Sequence, residues 1–205
     1  MVRSQLAERG IRDTRVLAAM GTVPRHEFVP EPLRKEAYED HPLPIGEGQT
    51  ISQPYIVAAM LERLAIQPSD RVLEVGTGSG YVTALLSELC AHVFSVERYA
   101  SLADSAEANL PRLGFRNVTI KVGDGRLGWS EHAPFDAILV SAATAEVPPA
   151  LFEQLKDGGR LMIPVGSPAS QELQLIRKLD GRPQVRALEG CRFVPLLGGD
   201  PPREF

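Results

Sequence analysis

Hydrophobic and polar positions divide the chain into two unequal parts. Up to about residue 66 the apolar positions come in short, interrupted groups: Leu6 is followed by Gly10, Asp13 precedes Val16, Leu17 and Met20, and a proline-broken stretch runs from Pro24 to Pro44. Asp13 suits a helix N-cap and Gly10 a stop, so this part reads as short helices and turns, an annex without a sheet of its own. From Arg71 short apolar runs alternate with helical segments, the signature of βα units in a mostly parallel sheet. Strands are predicted at Arg71–Val75, His92–Val96, Asn117–Val122 and Phe135–Val140, with helices at Ser79–Cys90, Ala100–Leu113 and Pro148–Leu155. Gly158-Gly159 is expected to end the last helix and Arg160–Val165 to form the next strand. Glu172–Leu179 and Gln184–Val194 then read as an antiparallel hairpin turned at Asp180-Gly181. The predicted class is α/β, doubly wound, in a single domain with the annex over 1–66 and the core over 67–205. Gly198-Gly199-Asp200-Pro201-Pro202 reads as a loose terminus.

Composition narrows the partners. With 43% hydrophobic and 23% charged residues in 205, the chain has enough apolar material for one substantial core. A net charge of -4 lacks the basic surplus usual in nucleic-acid binders, so no nucleic-acid partner is expected. Cys90 and Cys191 stand far apart and read as two buried reduced thiols. The N-terminal residues lack the apolar core of a secretory signal, and no later run approaches a membrane span. A cytoplasmic monomer without membrane contact is the expectation.

The strongest local motif is Val72-Leu73-Glu74-Val75-Gly76-Thr77-Gly78-Ser79-Gly80-Tyr81, a buried strand running into a glycine-rich turn and an apolar helix. Glycines there allow a sharp turn and let a ligand approach the main chain beside a helix N-terminus. A dinucleotide fingerprint counted from Gly76 would require glycine or alanine at position 81, where Tyr81 stands. Three glycines at alternate positions after an acidic residue instead resemble the first motif of class I S-adenosylmethionine methyltransferases. Taken by itself, Glu74 also suits a strand-end carboxylate that caps local N–H groups. Glu97 falls at the tip of the second strand, where a carboxylate can accept from both ribose hydroxyls, although a solvated loop glutamate would look the same. Asp124, in Val122-Gly123-Asp124-Gly125, is placed to accept an adenine amine, and Asp-Gly is also a common turn pair. The loop and both acids share the carboxyl edge of one sheet, where doubly wound folds bind ligands.

Upstream, Gly48-Gln49-Thr50-Ile51-Ser52-Gln53-Pro54-Tyr55-Ile56-Val57 leads into a helix reaching about Leu64. Ser52 as N-cap and Pro54 in the first turn would explain this string on structural grounds alone. The same string resembles protein-L-isoaspartate O-methyltransferases, as do the glycine loop, Gly123-Asp124-Gly125 and Leu155–Gly166. Arg25-His26-Glu27-Phe28-Val29-Pro30, Ala37–Asp40, Phe135–Ile138 and Arg192–Leu196 extend the likeness over nearly the whole chain.

The resemblance implies a Rossmann-like, seven-stranded, mostly parallel sheet with an antiparallel C-terminal hairpin and an N-terminal helical annex. It implies methyl transfer from S-adenosyl-L-methionine, leaving S-adenosyl-L-homocysteine, to the α-carboxylate of L-isoaspartyl residues in damaged proteins, which initiates their repair. Ser52 matches the active-site serine. Thr50, Ile51 and Gln53 match the stretch over the methyl donor; Glu74, Gly76, Thr77, Gly78 and Gly80 match the loop; Glu97, Arg98, Asp124 and Gly125 match the adenosine end. No metal is implied, and His26, His41, His92 and His132 lack ligand spacing. The chain departs from the family pattern at Ser141–Pro148 and in Tyr81-Val82-Thr83, which bears on peptide preference. Two rival readings keep the fold: a methyltransferase for a small molecule or RNA base, and a non-catalytic adaptor.

Overall fold

The computed structural model describes residues 1–199. A π-helical turn (Val2–Leu6) and a 3-10 turn (Ala7–Arg9) end at Gly10, which adopts φ 104°, and lead to α1 (Thr14–Thr22). The Asp13 side chain accepts from the Arg15 and Val16 N–H groups, as its position before the apolar run predicts. Two further 3-10 turns, Arg25–Phe28 and Glu31–Glu36, precede β1 (Leu43–Gly46), β2 (Gln49–Ile51) and α2 (Pro54–Leu64). The core then follows as β3 (Arg71–Val75), α3 (Tyr81–Leu89), β4 (His92–Glu97), α4 (Ala100–Arg112), β5 (Val118–Val122), β6 (Phe135–Val140), α5 (Pro149–Glu153), β7 (Leu155–Ser167), β8 (Ser170–Leu179) and β9 (Arg182–Cys191).

The seven core strands form one sheet in the order β5-β4-β3-β6-β7-β8-β9. The chain enters at β3, winds outward through β4 to β5, then crosses to β6 on the other side of β3. Strand order therefore reverses at β3, and the crevice beyond its carboxyl end is the natural ligand site of such a sheet. Pairings β3–β4, β3–β6, β4–β5 and β6–β7 are parallel; β7–β8 and β8–β9 are antiparallel. Asp180 and Gly181 at the last turn have φ 50° and 71°, the left-handed pair that a two-residue hairpin requires.

Alternation along the strands divides the core. Val72, Val93, Leu139 and Met162 pack with α1 to α4 and the annex, whereas Leu73, Phe94, Ile138 and Leu161 pack against Trp129, Phe135 and Leu151 on the opposite face. Burial of both faces explains why these strands read as continuous apolar runs.

Four expectations are corrected. The annex carries a small sheet: β1 and β2 pair antiparallel around Gly46, Glu47 and Gly48, all at positive φ, and Pro44 in β1 hides the strand pattern. Gly158-Gly159 does not end a helix, since α5 stops at Glu153. The pairing of β6 with β7 jumps from Phe135↔Leu155 to Ala137↔Arg160, so residues 156–159 form a bulge. There Gly158 takes φ 80°, and a Cβ on Gly159 would lie 2.7 Å from the Lys156 carbonyl oxygen. Cys191 is partly exposed rather than buried. Gly198 and Gly199 are held by side-chain bonds rather than loose, while Asp200-Pro201-Pro202 lie outside the described residues.

The far end of α2 is fixed by a buried ion pair. Arg160 donates to the Leu64 and Ala65 carbonyls and to the Asp70 carboxylate, which also accepts from Gln67 N–H. Asp70 is 5% exposed, so removing it leaves Arg160 charged and unpaired in a dry setting. Asp70→Ala is expected to lower the unfolding free energy by about 3 kcal/mol in urea titrations, one of the larger losses available to a single substitution here.

Candidate active site

The site forms where β3 and β4 end. Past Val75 the chain turns through Gly76 (φ 95°), Gly78 (φ 54°) and Gly80 (φ 87°), conformations that side-chain-bearing residues rarely adopt. A Cβ on Gly80 would lie 3.3 Å from the Ala106 Cβ, so the third glycine packs the loop against α4 and does not face a ligand. The Glu97 carboxylate at the tip of β4 joins loop to strand. Oε2 accepts from Gly78 N–H at 2.8 Å, and Oε1 accepts from the N–H groups of Arg98 and Tyr99 at 2.7 and 3.0 Å. These three bonds fix its plane, and Oε2 retains acceptor capacity for a ligand hydroxyl.

A cleft of about 790 Å³, counting its open mouth, lies above this edge. Its floor is Val75, Gly76, Thr77 and Gly78; one wall carries Glu97, Arg98 and Tyr99; the other is the annex, with Ile45, Gln49, Thr50, Ile51 and Ser52. Gly125 closes the back, and a Cβ there would lie 2.3 Å from Val75 Cγ1, so only glycine fits.

Of the sequence-predicted residues, Thr50, Ile51, Ser52, Gly76, Thr77, Gly78, Glu97, Arg98 and Gly125 therefore line one cleft. Gln53, Glu74, Gly80 and Asp124 do not. Gln53 is the N-cap of α2, in place of Ser52, and its Nε2 points away to donate to the Asp40 carboxylate at 2.8 Å. Ser52 is consequently not occupied in starting the helix. Asp124 accepts from Arg126 and, through Oδ2, from Gly199 N–H at 2.9 Å. Glu74 lies beneath the loop with no exposed surface. Its Oε2 accepts from Thr83 and Ser95 hydroxyls at 2.6 and 2.7 Å, and Ser95 in turn meets the Thr77 hydroxyl at 2.5 Å. Glu74 thus reaches the cleft only through that hydroxyl chain, while Oε1 has no partner.

Ser141 and Ala142, which open the segment that departs from the family pattern, follow β6 and line the cleft because β6 pairs beside β3, and Tyr81 and Val82 of the other departing segment line it too. Sequence reasoning missed the last part of the lining. Val194, Pro195, Leu196 and Leu197 form a strap across the mouth, fixed by main-chain bonds from Ala143 N–H to Val194 and from Leu196 N–H to Ala143. Beyond it, Arg98 donates to the carbonyls of Gly198 and Gly199. No periodicity marks such a segment. Among the described residues, no group of three or more His, Cys, Asp or Glu is arranged to hold a metal ion.

A mostly parallel sheet with this reversal and an antiparallel last hairpin, a three-glycine turn at β3 and an acid at the tip of β4 define a class I methyltransferase. The model of the Protein-L-isoaspartate(D-aspartate) O-methyltransferase family matches residues 1–200, and the chain belongs to that family. It is 58% identical to a protein-L-isoaspartate O-methyltransferase of Koribacter versatilis over 97% of this chain and 89% of the relative. It is 56% identical to one of Methanoculleus marisnigri over 97% and 90%. Two solved structures superpose with TM-scores of 0.85. One is a protein-L-isoaspartate O-methyltransferase at 32% identity, matched over 98% of this chain and 67% of that one. The other is a Plasmodium falciparum protein described by the same activity and in complex with S-adenosyl-L-homocysteine, at 30% identity and 97% coverage of both.

Burial pushes the Glu74 carboxyl up to about 8, against the opposing bonds from Ser95 and Thr83. Its proton leaves near pH 4.5 in the unfolded chain but is retained to about 8 in the folded one. This group therefore contributes stability that is complete below 4.5 and is lost as pH rises through 8, with a limiting slope of about 1.4 kcal/mol per pH unit. Glu74→Gln is expected to remove that slope. Urea unfolding of both proteins at pH 5 and pH 8 should show the variant gaining on the wild type at the higher pH.

Proposed function

We propose that this enzyme methylates the α-carboxylate of L-isoaspartyl residues in other polypeptides, with Ser52 orienting the acceptor and Glu97 holding the ribose of S-adenosyl-L-methionine. The observation that carries the reading is that Ser52 of the annex and Glu97 at the tip of β4 line one cleft. The residues fit the donor. Gly76 and Gly78 bring main chain to the floor of the cleft, Gly125 lets the back wall close against Val75, and Glu97 is held with acceptor capacity left on Oε2. When bound, S-adenosyl-L-methionine supplies an electrophilic methyl group on a sulfonium sulfur.

The acceptor needs little chemical help. A carboxylate with an unperturbed pKa of about 4 is ionised at neutral pH, so no general base is required. Alignment supplies the rate. Holding acceptor oxygen and methyl carbon near contact distance is worth several kcal/mol, about 7–11 at the upper end. The Ser52 hydroxyl donates to one carboxylate oxygen and directs the other toward the donor. The annex wall and the strap over the cleft limit water near the reacting atoms. The ester formed then closes to a succinimide by attack of the neighbouring peptide nitrogen, which loses its proton as methanol is expelled, and ring hydrolysis returns some normal aspartate. In the same reading the enzyme acts as a cytoplasmic monomer on flexible segments of damaged proteins, independently of nucleic acid and membrane. The net charge of -4 supports that choice of partner.

A matched peptide pair tests the reaction, one member with L-isoaspartate and the other with normal aspartate at the same position. Labelled methyl from S-adenosyl-L-methionine should appear on the first alone; label on neither, with donor binding intact, would shift the assignment to another acceptor or to an adaptor. Ser52→Ala is expected to lower turnover on the isoaspartyl peptide by about tenfold, the worth of one hydrogen bond to a charged group. Its affinity for S-adenosyl-L-homocysteine in calorimetry should stay that of the wild type. Unchanged turnover would remove Ser52 from the mechanism.

A further inference from the structure

Behind the wall that Ser52 and Tyr81 present to the cleft lies a guanidinium that forms no ion pair with a described carboxylate. Arg25 is 0% exposed. Its Nε donates to the Ala37 carbonyl at 2.7 Å and Nη2 to the Ser52 carbonyl at 2.8 Å, and its Cζ sits 4.7 Å from the centre of the Tyr81 ring. Nη1 has no hydrogen-bond partner. Asp40 is the nearby acid whose field Arg25 feels, and its carboxylate is already bonded to Arg9, Gln53 and the Tyr55 N–H. Burial lowers the Arg25 pKa, yet a guanidinium starts so high that it stays charged throughout the working range. Keeping an unpaired charge in a dry setting is costly. A neutral donor would serve the two carbonyls, so what meets the charge itself is the face of the Tyr81 ring, which lies between Arg25 and the cleft lining.

We infer that Arg25 is a positioning residue for the acceptor: it holds the Ser52 main chain in the cleft wall and supplies, through Ser52 and Tyr81, the positive field that selects an ionised carboxylate over a neutral amide or ester. The inference rests on the carboxylate acceptor proposed above. Arg25 does not touch the substrate, because Ser52 and Tyr81 stand between it and the cleft. Esterification removes the negative charge from the acceptor, so the same field holds the substrate and releases the product. The attraction is strongest before methyl transfer and weakens along it. Its loss should therefore raise KM without lowering kcat.

The test uses the full chain with S-adenosyl-L-homocysteine bound, and two peptides that differ only in the isoaspartyl α-carboxylate or its primary carboxamide. Calorimetry gives the affinity ratio between them, and thermal unfolding confirms that each variant is folded. The wild type should prefer the carboxylate. Arg25→Gln should lose about tenfold of that preference, as expected for a charge acting over several ångströms through a protein wall, whereas Arg25→Lys should keep most of it. If Arg25→Gln does not fold, Arg25→Met replaces it under the same expectation. Equal weakening of both peptides in the neutral variant, or an unchanged ratio, would mean that Arg25 only braces the wall and would overturn the inference. Absence of any preference in the wild type would instead remove the carboxylate acceptor on which the inference stands.

Discussion

The three main-chain N–H groups that converge on the Glu97 carboxylate hold the site together. One comes from the glycine loop after β3 and two from the turn after β4, so a single side chain sets the distance between the ends of neighbouring strands. Each bond to a carboxylate contributes about 1.5–3 kcal/mol, and all three are sheltered, since Glu97 is 5% exposed. The glycine at position 78 follows from this arrangement. Its left-handed backbone presents the N–H to Glu97, and a Cβ there would come within 3.2 Å of Ile45 on the facing annex wall.

That annex wall is organised by a second carboxylate. Asp40 accepts from Arg9, Gln53 and Tyr55 N–H, binding the first turns of the chain to the start of α2 immediately after Ser52. At the other end of α2, Arg160 and Asp70 fix the helix to β7 and to the approach to β3. The Arg160–Asp70 contact is the sheltered one, with side chains 15% and 7% exposed, whereas Arg9 beside Asp40 is 44% exposed. Arg126 is 46% exposed, and its contact with Asp124 contributes little beyond local geometry. The donor side and the acceptor side of the cleft are also joined outside it, where Asn109 and Arg112 of α4 bond to Glu27 of the annex and Phe28 meets the Tyr81 ring edge-on.

Much of this was legible in the residues. Strand β3 and its glycine turn are visible because burial on both faces leaves Val72 to Val75 almost wholly apolar, while Gly76, Gly78 and Gly80 mark the exit. Asp13 and Asp180-Gly181 were readable for the same reason, since local backbone chemistry admits few residue types there. What could not be read depended on contacts between distant segments. Gln53 looks like a cleft residue beside Ser52, and only the folded position of Asp40 turns it away. Glu74 and Glu97 are both strand-end glutamates in sequence. Pleat and register bury the first under the loop and bring the second to the edge, a difference that becomes visible only when β3 is paired with β4.

Asp124 shows how the strap alters a familiar expectation. An acid after the third strand suggests an acceptor for an adenine amine, but here both oxygens are engaged by Arg126, and Oδ2 also takes the N–H of Gly199. Those bonds hold the carboxyl below its usual range, against the upward push of partial burial, so it remains an ionised acceptor at neutral pH. Gly199 is the last described residue, and Arg98 grips the same segment from the opposite side of the cleft through two carbonyls. Arg98 and Asp124, two of the four positions expected at the adenosine end, therefore also hold the segment just past the strap, leaving Gly125 as the cleft-facing member of the Asp124–Gly125 pair. A nucleoside entering here meets a back wall made of backbone and apolar side chains, with Leu196 and Leu197 above it. In the site proposed above, Glu97 is the carboxylate that this end of the cleft presents to the ligand, and the rest of its lining there is backbone and apolar side chains.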